Sequence, residues 1–323
     1  MWYNVGVVNQ LVIRVLLPDK RKFKGIMKSL KNLLMNGKKI YTLILWLFFV
    51  LYSWKEVFFY NHIYKRKDDN MKTNEYDYYN DLANWSFEDI NYTTETLTNW
   101  IYEDEIIKRI NKDSKVLDLG TAAGEKLLKN FPDCAEILGT DYSKEMIENA
   151  KKNLEKSGRK NISFRVMDNL KMDTPNDYFD LVTARHTVIE PKQIYKTLKE
   201  NGQLVIRGVD KLDCWALKRM FGRGQGYRDT NPISLIDYEA IMDAGFKDVE
   251  LIPLHVVEYY KTKEDLYALL VKTPILDDFS EESQNEYERK PIEEEILDKY
   301  ISENTTSKGI RLIRRYYGII ARK

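Results

Sequence analysis

The sequence predicts an α/β fold: a doubly wound, seven-stranded, mostly parallel sheet, with a helical N-terminal cap and a helical insertion before the last strand. Three observations predict it. From Val116 onward, short apolar runs alternate with amphipathic stretches, the pattern of a sheet covered by helices on both faces. The run Val116-Leu117-Asp118-Leu119 breaks into Gly120-Thr121-Ala122-Ala123-Gly124, a turn that lets a ligand lie on backbone N–H groups and opens a helix. The run from Ala135 then ends at Asp141, 21 residues after Gly120. A nucleoside-binding βαβ unit needs a carboxylate about 20 residues past its glycines, to accept from ribose hydroxyls.

The elements follow in order. Strands are expected near 115–119, 135–140, 162–167, 179–184 and 203–207, with a sixth over Val249–Leu254 and a seventh over Tyr316–Ala321. Helices are expected near 124–130, 144–156, 192–199 and 233–243, and Asn201-Gly202 supplies the turn before the fifth strand. Residues 255–312, with the acidic stretch Asp277–Glu295, form the insertion, read as a solvated cap or as a contributor to substrate choice. Residues 71–110 are rich in Tyr, Trp and acids, including Tyr76, Trp85, Trp100 and Tyr102. They form the helical cap, and residues 111–323 form the main domain.

Composition narrows the function. With 323 residues and 43% apolar content, the chain can bury a globular core. Its two cysteines, Cys134 and Cys214, and three scattered histidines give no metal spacing and no disulfide framework. No metal is expected, and a reducing cytoplasm suits the chain. Residues 1–70 hold 13 Lys and Arg against 4 Asp and Glu, whereas the remainder is net −8. An acidic body lacks the positive field of a broad nucleic-acid surface.

The first 70 residues form a basic and hydrophobic N-terminal extension. Lys20 through Lys39 interleave with Phe23, Met27, Leu30 and Leu34 at helical spacing, and Ile40–Trp54 carries no charge for 15 residues. Spanning a bilayer takes about 20 apolar residues. Three readings fit: a membrane anchor within residues 20–60, a helix lying on the surface, or an upstream extension before a start at Met71. The abrupt change of composition at Asn70-Met71 favours the third. The protein is membrane-associated only if residues 40–60 are a genuine anchor.

The glycine spacing selects the nucleoside. A dinucleotide fingerprint reads Gly-x-Gly-x-x-Gly, but Ala122 and Glu125 occupy its second and third glycine positions. Carboxylates at Glu125 and Asp118 suit a positively charged ligand better than a pyrophosphate. The run Val116–Gly124, the run Asp141-Tyr142-Ser143-Lys144-Glu145-Met146, the strand Phe164–Met167 ending in Asp168-Asn169, and Phe179-Asp180-Leu181-Val182 come in that order. Together they resemble the class I S-adenosylmethionine-dependent methyltransferases, whose first motif, Val-Leu-Asp-x-Gly-x-Gly-x-Gly, is broken here only at Ala122. The resemblance covers Ser114 to the C-terminus. It implies a last strand antiparallel between the fifth and sixth, and an N-terminal segment that caps the cofactor. Plain packing of that segment against the sheet edge is an equal reading.

The resemblance also implies roles. Asp141 holds the ribose hydroxyls. Tyr142 and Met146 flank the adenine. Asp168 accepts from its amino group, with Asn169 beside it. Gly120, Ala122 and Gly124 pack against the methionine part, and Asp118 balances its ammonium. Arg185 orients the cofactor carboxylate or an anionic substrate, or sits in a surface ion pair. His186 is the candidate general base, or a loop residue without a chemical task. Singly, Asp141 reads as a helix cap and Met146 as core; it is their order along successive strand ends that makes a site. Ala184-Arg185-His186-Thr187 stands where base-amino methyltransferases carry Asn/Asp-Pro-Pro-aromatic, so the expected acceptor is an O or N nucleophile on a small molecule. RNA or protein acceptors, a non-catalytic S-adenosylmethionine sensor and an NAD-dependent dehydrogenase are the alternatives.

Overall fold

Val116, Leu117 and Leu119 are fully buried, as a strand covered on both faces must be. They lie in a computed structural model that describes residues 72–73, 89–277 and 287–323, all within the unit Asp69–Lys323. The expectations for residues 1–70, membrane association included, and for residues 74–88 of the cap lie outside the described residues. No described helix is long and apolar enough to cross a membrane.

In chain order the described strands are β1 (Lys72–Thr73), β2 (Tyr92–Thr96), β3 (Lys115–Leu119), β4 (Glu136–Asp141), β5 (Ile162–Val166), β6 (Phe179–Arg185), β7 (Leu198–Val209), β8 (Lys247–Tyr260), β9 (Tyr287–Glu288), β10 (Thr305–Thr306) and β11 (Gly309–Arg322). The helices are α1 (Tyr102–Ile107), α2 (Glu125–Asn130), α3 (Lys144–Ser157), α4 (Pro191–Thr197), α5 (Trp215–Phe221), α6 (Ile233–Asp243), α7 (Lys263–Lys272) and α8 (Glu294–Asn304).

Strands β5, β4, β3, β6 and β7 pair in parallel in that order. β11 enters antiparallel between β7 and β8. These are the seven strands expected. β2 adds an antiparallel edge beside β8 and β10 a short hairpin on β11, so the sheet has nine strands among the described residues. Tyr92-Thr93-Thr94-Glu95-Thr96 is β-branched and aromatic, a composition that favours a pleated edge. The cap therefore contributes a strand before its helix α1. β1 pairs with β9 in a separate two-stranded sheet.

Helices cover both faces. One apolar cluster joins Leu119, Phe179 and Ile206 to Ile194 of α4 and Ile241 of α6. The opposite cluster joins Val116, Ile137 and Phe164 to Ile106 of α1, Leu127 of α2 and Ile147 of α3. A third gathers Leu217, Leu266, Leu269 and Leu297 of α5, α7 and α8 around Tyr260 and Leu312. The helical connection before the last strand thus has its own core. It runs from 261 to 308 rather than from 255 to 312, because β8 and β11 pair from Tyr260–Ile310 inward. Buried Arg314 ties this region together: Nε donates to Asp213 at 2.9 Å and Nη1 to Glu258 at 3.0 Å. A buried charge is tolerable only when paired this fully.

Candidate functional site

The site lies along the C-terminal ends of β3 to β7, where open parallel sheets hold their ligands. The turn after β3 is built on left-handed backbone, with φ of +69° at Gly120, +50° at Ala122 and +77° at Gly124. Side chains fill the space beside its glycines. A Cβ on Gly124 would stand 2.7 Å from Phe164 Cζ, and one on Gly120 would stand 2.6 Å from Thr187 Cβ. The loop's amides are largely spent inside the protein. Thr121 donates to the Thr140 carbonyl at 2.8 Å and Gly124 to the Thr121 carbonyl at 3.0 Å. Ala122 donates to Asp141 Oδ2 at 2.9 Å.

Three acidic positions stand at or just past the C-terminal ends of β3, β4 and β5. Asp118 is 8% exposed and accepts from the Thr183 hydroxyl at 2.6 Å. Burial is the main influence on its carboxyl, pushing it up to about 6 against the Thr183 hydrogen bond. Asp141 accepts from Ala122 and, through Oδ1, from the Ser143 amide at 2.9 Å. Burial raises it too, opposed by those amides. With the Tyr142 amide also bonded to it, the carboxylate keeps one of its four lone-pair sites for a further donor. Asp168 accepts from the Leu170 amide at 2.9 Å.

Asn169 is 7% exposed and donates to Thr187 Oγ1 at 3.0 Å and to the Val188 carbonyl at 3.2 Å. Its Oδ1 is buried without a partner among the described residues, which is costly unless a ligand supplies a donor. Tyr142 is 58% exposed, whereas Met146 is buried in the first turn of α3, under the Ser143 cap. Acceptors at Asp141 and Asn169, desolvated acids and a loop with few free amides together fit a phosphate-free adenosyl cation.

Beyond β3 the charge reverses. Arg185 ends β6 and aligns with Arg207 on β7. Arg185 donates to Glu103 of α1 at 2.9 Å. His186, at φ +53°, stacks on Tyr316 of β11 with centroids 5.3 Å apart and rings 11° from parallel. Its Nε2 faces the Arg207 guanidinium, which lies 3.9 Å over the Tyr316 ring. The His186 side chain reaches solvent at one edge. The protein around the rest of it, followed by the charges of Arg207, Arg185 and Arg314, holds its imidazole well below the usual range. In this arrangement it is a neutral ring accepting from Arg207.

The structure thus brings Asp118, Gly120, Ala122, Gly124, Asp141 and Asn169 into one connected set, with Asp168 and Tyr142 adjoining in the chain. Arg185 and His186 stand on the other side of Asp118. Thr183, Thr187, Tyr316 and Glu103 have no role in the sequence reading, whereas Arg207 heads a basic segment running to Arg228 that the sequence offers as a lid or a phosphate contact. Thr183 had a signal, since it precedes Arg185 by two on the strand that had to lie beside Asp118. Arg207 and Tyr316 meet across β7 and β11, which no local pattern announces.

Residues 110–269 match a family described as "Methyltransferase domain". The uncharacterized methyltransferase YcgJ of Bacillus subtilis is 31% identical over 88 residues, which cover 27% of this chain and 35% of that protein. The release factor glutamine methyltransferase of Flavobacterium psychrophilum is 25% identical over 181 residues, covering 54% of this chain and 62% of that protein. The chain therefore spans about a third of the first curated relative it matches and under two thirds of the second. The crystal structure of YcgJ superposes with a TM-score of 0.45 and 21% identity, covering 69% of this chain and 97% of that one.

Proposed function

We propose that this chain, which belongs to the methyltransferase family through residues 110–269, binds S-adenosylmethionine and passes its methyl group to an O or N nucleophile of a small molecule. One observation carries the reading. The glycine loop spends its Thr121, Ala122 and Gly124 amides on the protein's own acceptors, leaving few for a pyrophosphate, while acidic groups gather beside it. A nucleotide carrying phosphate needs those amides; an adenosyl sulfonium does not.

When bound, S-adenosylmethionine supplies a methyl group on an already activated sulfonium leaving group. The chain then has to hold and align. Asp141 would accept from the ribose hydroxyls, and Tyr142 and Met146 would flank the adenine. Asp168 and the unpartnered Asn169 Oδ1 would accept donors at the adenine end. Asp118 would face the ammonium, and Arg185 the carboxylate. Aligning the acceptor and excluding water supply most of the acceleration such a displacement requires. His186 would serve as base only after releasing Arg207. All these groups lie between residues 118 and 207. The reading places the protein in a reducing cytoplasm, where the free, buried Cys134 and Cys214 stay thiols.

Calorimetry with S-adenosylhomocysteine and NAD tests the donor site. Saturable binding of the first and none of the second is expected; the reverse overturns the reading. Conversion of S-adenosylmethionine to S-adenosylhomocysteine with a cell extract, followed by mass analysis of the labelled product, identifies the acceptor class and separates an enzyme from a sensor.

A further inference from the structure

We infer that Arg207, set on the Tyr316 ring and beside His186, is the anchor of an anion-binding subsite that receives the methyl acceptor through a phosphate monoester or a carboxylate. This rests on the methyl-transfer reading above and names the substrate class of the same site.

The edge of the sheet is bipolar. Asp141 ends β4 and Asp118 is the penultimate residue of β3, while Arg185 and Arg207 align on β6 and β7. Lys126, at the start of α2, adds a third cation close enough to Arg185 to feel its charge. Partial desolvation of its ammonium, and then that charge, bring Lys126 down to about 8. Against these three cations stands Glu103, which Arg185 already engages at 2.9 Å. Arg314 is also near but is matched by Asp213 and Glu258. Among the described residues Arg207 has no carboxylate partner; its contacts are the neutral His186 ring and the face of Tyr316. A half-buried guanidinium held in place by an aromatic face, with its fork unmatched, suits a planar or tetrahedral oxyanion.

The cofactor does not account for it. The carboxylate of S-adenosylmethionine sits on the same carbon as its ammonium. With the ammonium at Asp118, that carboxylate falls to Arg185, on the adjoining strand. Arg207 is two strand spacings across and two residues further along the sheet from Asp118, about 12 Å, and is left for a second anion. That anion would stand on the acceptor side of the sulfonium. It would be attached to the nucleophile that takes the methyl group.

The test uses the full chain, with phenyl phosphate and benzoate as probes, titrated by calorimetry in the presence and absence of S-adenosylhomocysteine. Wild type should bind one probe saturably, and the tighter of the two names the acceptor's anion. Arg207→Gln removes the charge and keeps a donor toward His186; it should weaken that probe by about tenfold or more. It should leave S-adenosylhomocysteine affinity within about twofold. Arg207→Lys should restore much of the probe affinity, and thermal melts show that each variant is folded. The inference is overturned if neither probe saturates wild type, or if Arg207→Gln binds the probe as wild type does. It is also overturned if the substitution costs S-adenosylhomocysteine affinity and spares the probe, which would give Arg207 to the cofactor. Failure of wild type to bind S-adenosylhomocysteine would sink the methyl-transfer reading instead, and the probe titration without it still reads the subsite.

Discussion

The Ala122 amide donates to the Asp141 carboxylate at 2.9 Å, tying the glycine turn after β3 to the tip of β4. Ala122 stands at a glycine position of the motif the loop resembles, and its backbone is left-handed at φ +50°. A residue with a Cβ pays for that conformation, and the hydrogen bond that Ala122 donates to Asp141 offsets part of the cost. The same carboxylate thus shapes the loop and faces the proposed ribose.

Asp141→Ala should therefore weaken S-adenosylhomocysteine binding by about 1–3 kcal/mol, the loss expected for a buried hydrogen-bonded partner. Asp141→Asn, which keeps one acceptor oxygen, should lose less. Calorimetry measures both, and unchanged affinity in Asp141→Ala removes this residue from the donor site.

Asp118 sets a pH dependence. Its carboxyl is raised from 3.8 to about 6 by burial, so the native state holds a proton there that the unfolded chain releases. The associated stability is present below the unfolded value and is lost as pH rises through about 6. At pH 7.5 the ionised group is a liability of roughly 3 kcal/mol, by the pKa difference. Asp118→Asn should melt at a higher temperature than wild type at about pH 7.5, keep about half of that advantage near pH 5 and lose it only below about pH 4. It should also bind S-adenosylhomocysteine more weakly, since the ammonium loses its counter-charge. Melting curves that shift equally at both pH values would refute the assignment.

His186 is held neutral well below its ordinary range, so its protonation should impose no loss of rate between about pH 6 and 8. Replacement by Asn should lower turnover by about a hundredfold if the imidazole takes the acceptor's proton, with cofactor affinity unchanged. A steady-state pH profile of both proteins decides it; equal rates exclude the base.

Two glycines with similar backbone separate packing from conformation. Gly124 has φ +77°, and a Cβ there would meet Phe164 Cζ at 2.7 Å; Gly158 has φ +69° and nothing within 4 Å. Gly158→Ala should cost about 1 kcal/mol from backbone strain alone. Gly124→Ala should cost clearly more and should distort the donor loop. Urea unfolding gives the comparison, and equal costs would mean that Phe164 yields freely.

Most of the parallel sheet was legible because its signals are local. Val116–Asp118 and Ile137–Asp141 announce strands by apolar runs and their tips by an acid, and Ser143 declares the start of α3. What stayed hidden depends on pairing between distant segments. Arg207 reads as one more strand residue until β11 brings Tyr316 beneath it. Thr187 reads as loop until its side chain is seen filling the space beside Gly120. Tyr92–Thr96 had strand composition, but the surrounding acids and aromatics of the cap masked a five-residue signal.

The placement of β11 carries a consequence for biosynthesis. It is the last strand of the sheet in chain order, yet it is central, pairing with β7 on one side and along most of β8 on the other. A nascent polypeptide that has not yet released Gly309 onward presents two long, unpaired borders facing each other, each able to template another chain. Premature stops before this strand should therefore yield aggregates rather than a weakened enzyme, and the ribosome-bound precursor is the stage at which chaperone protection matters most.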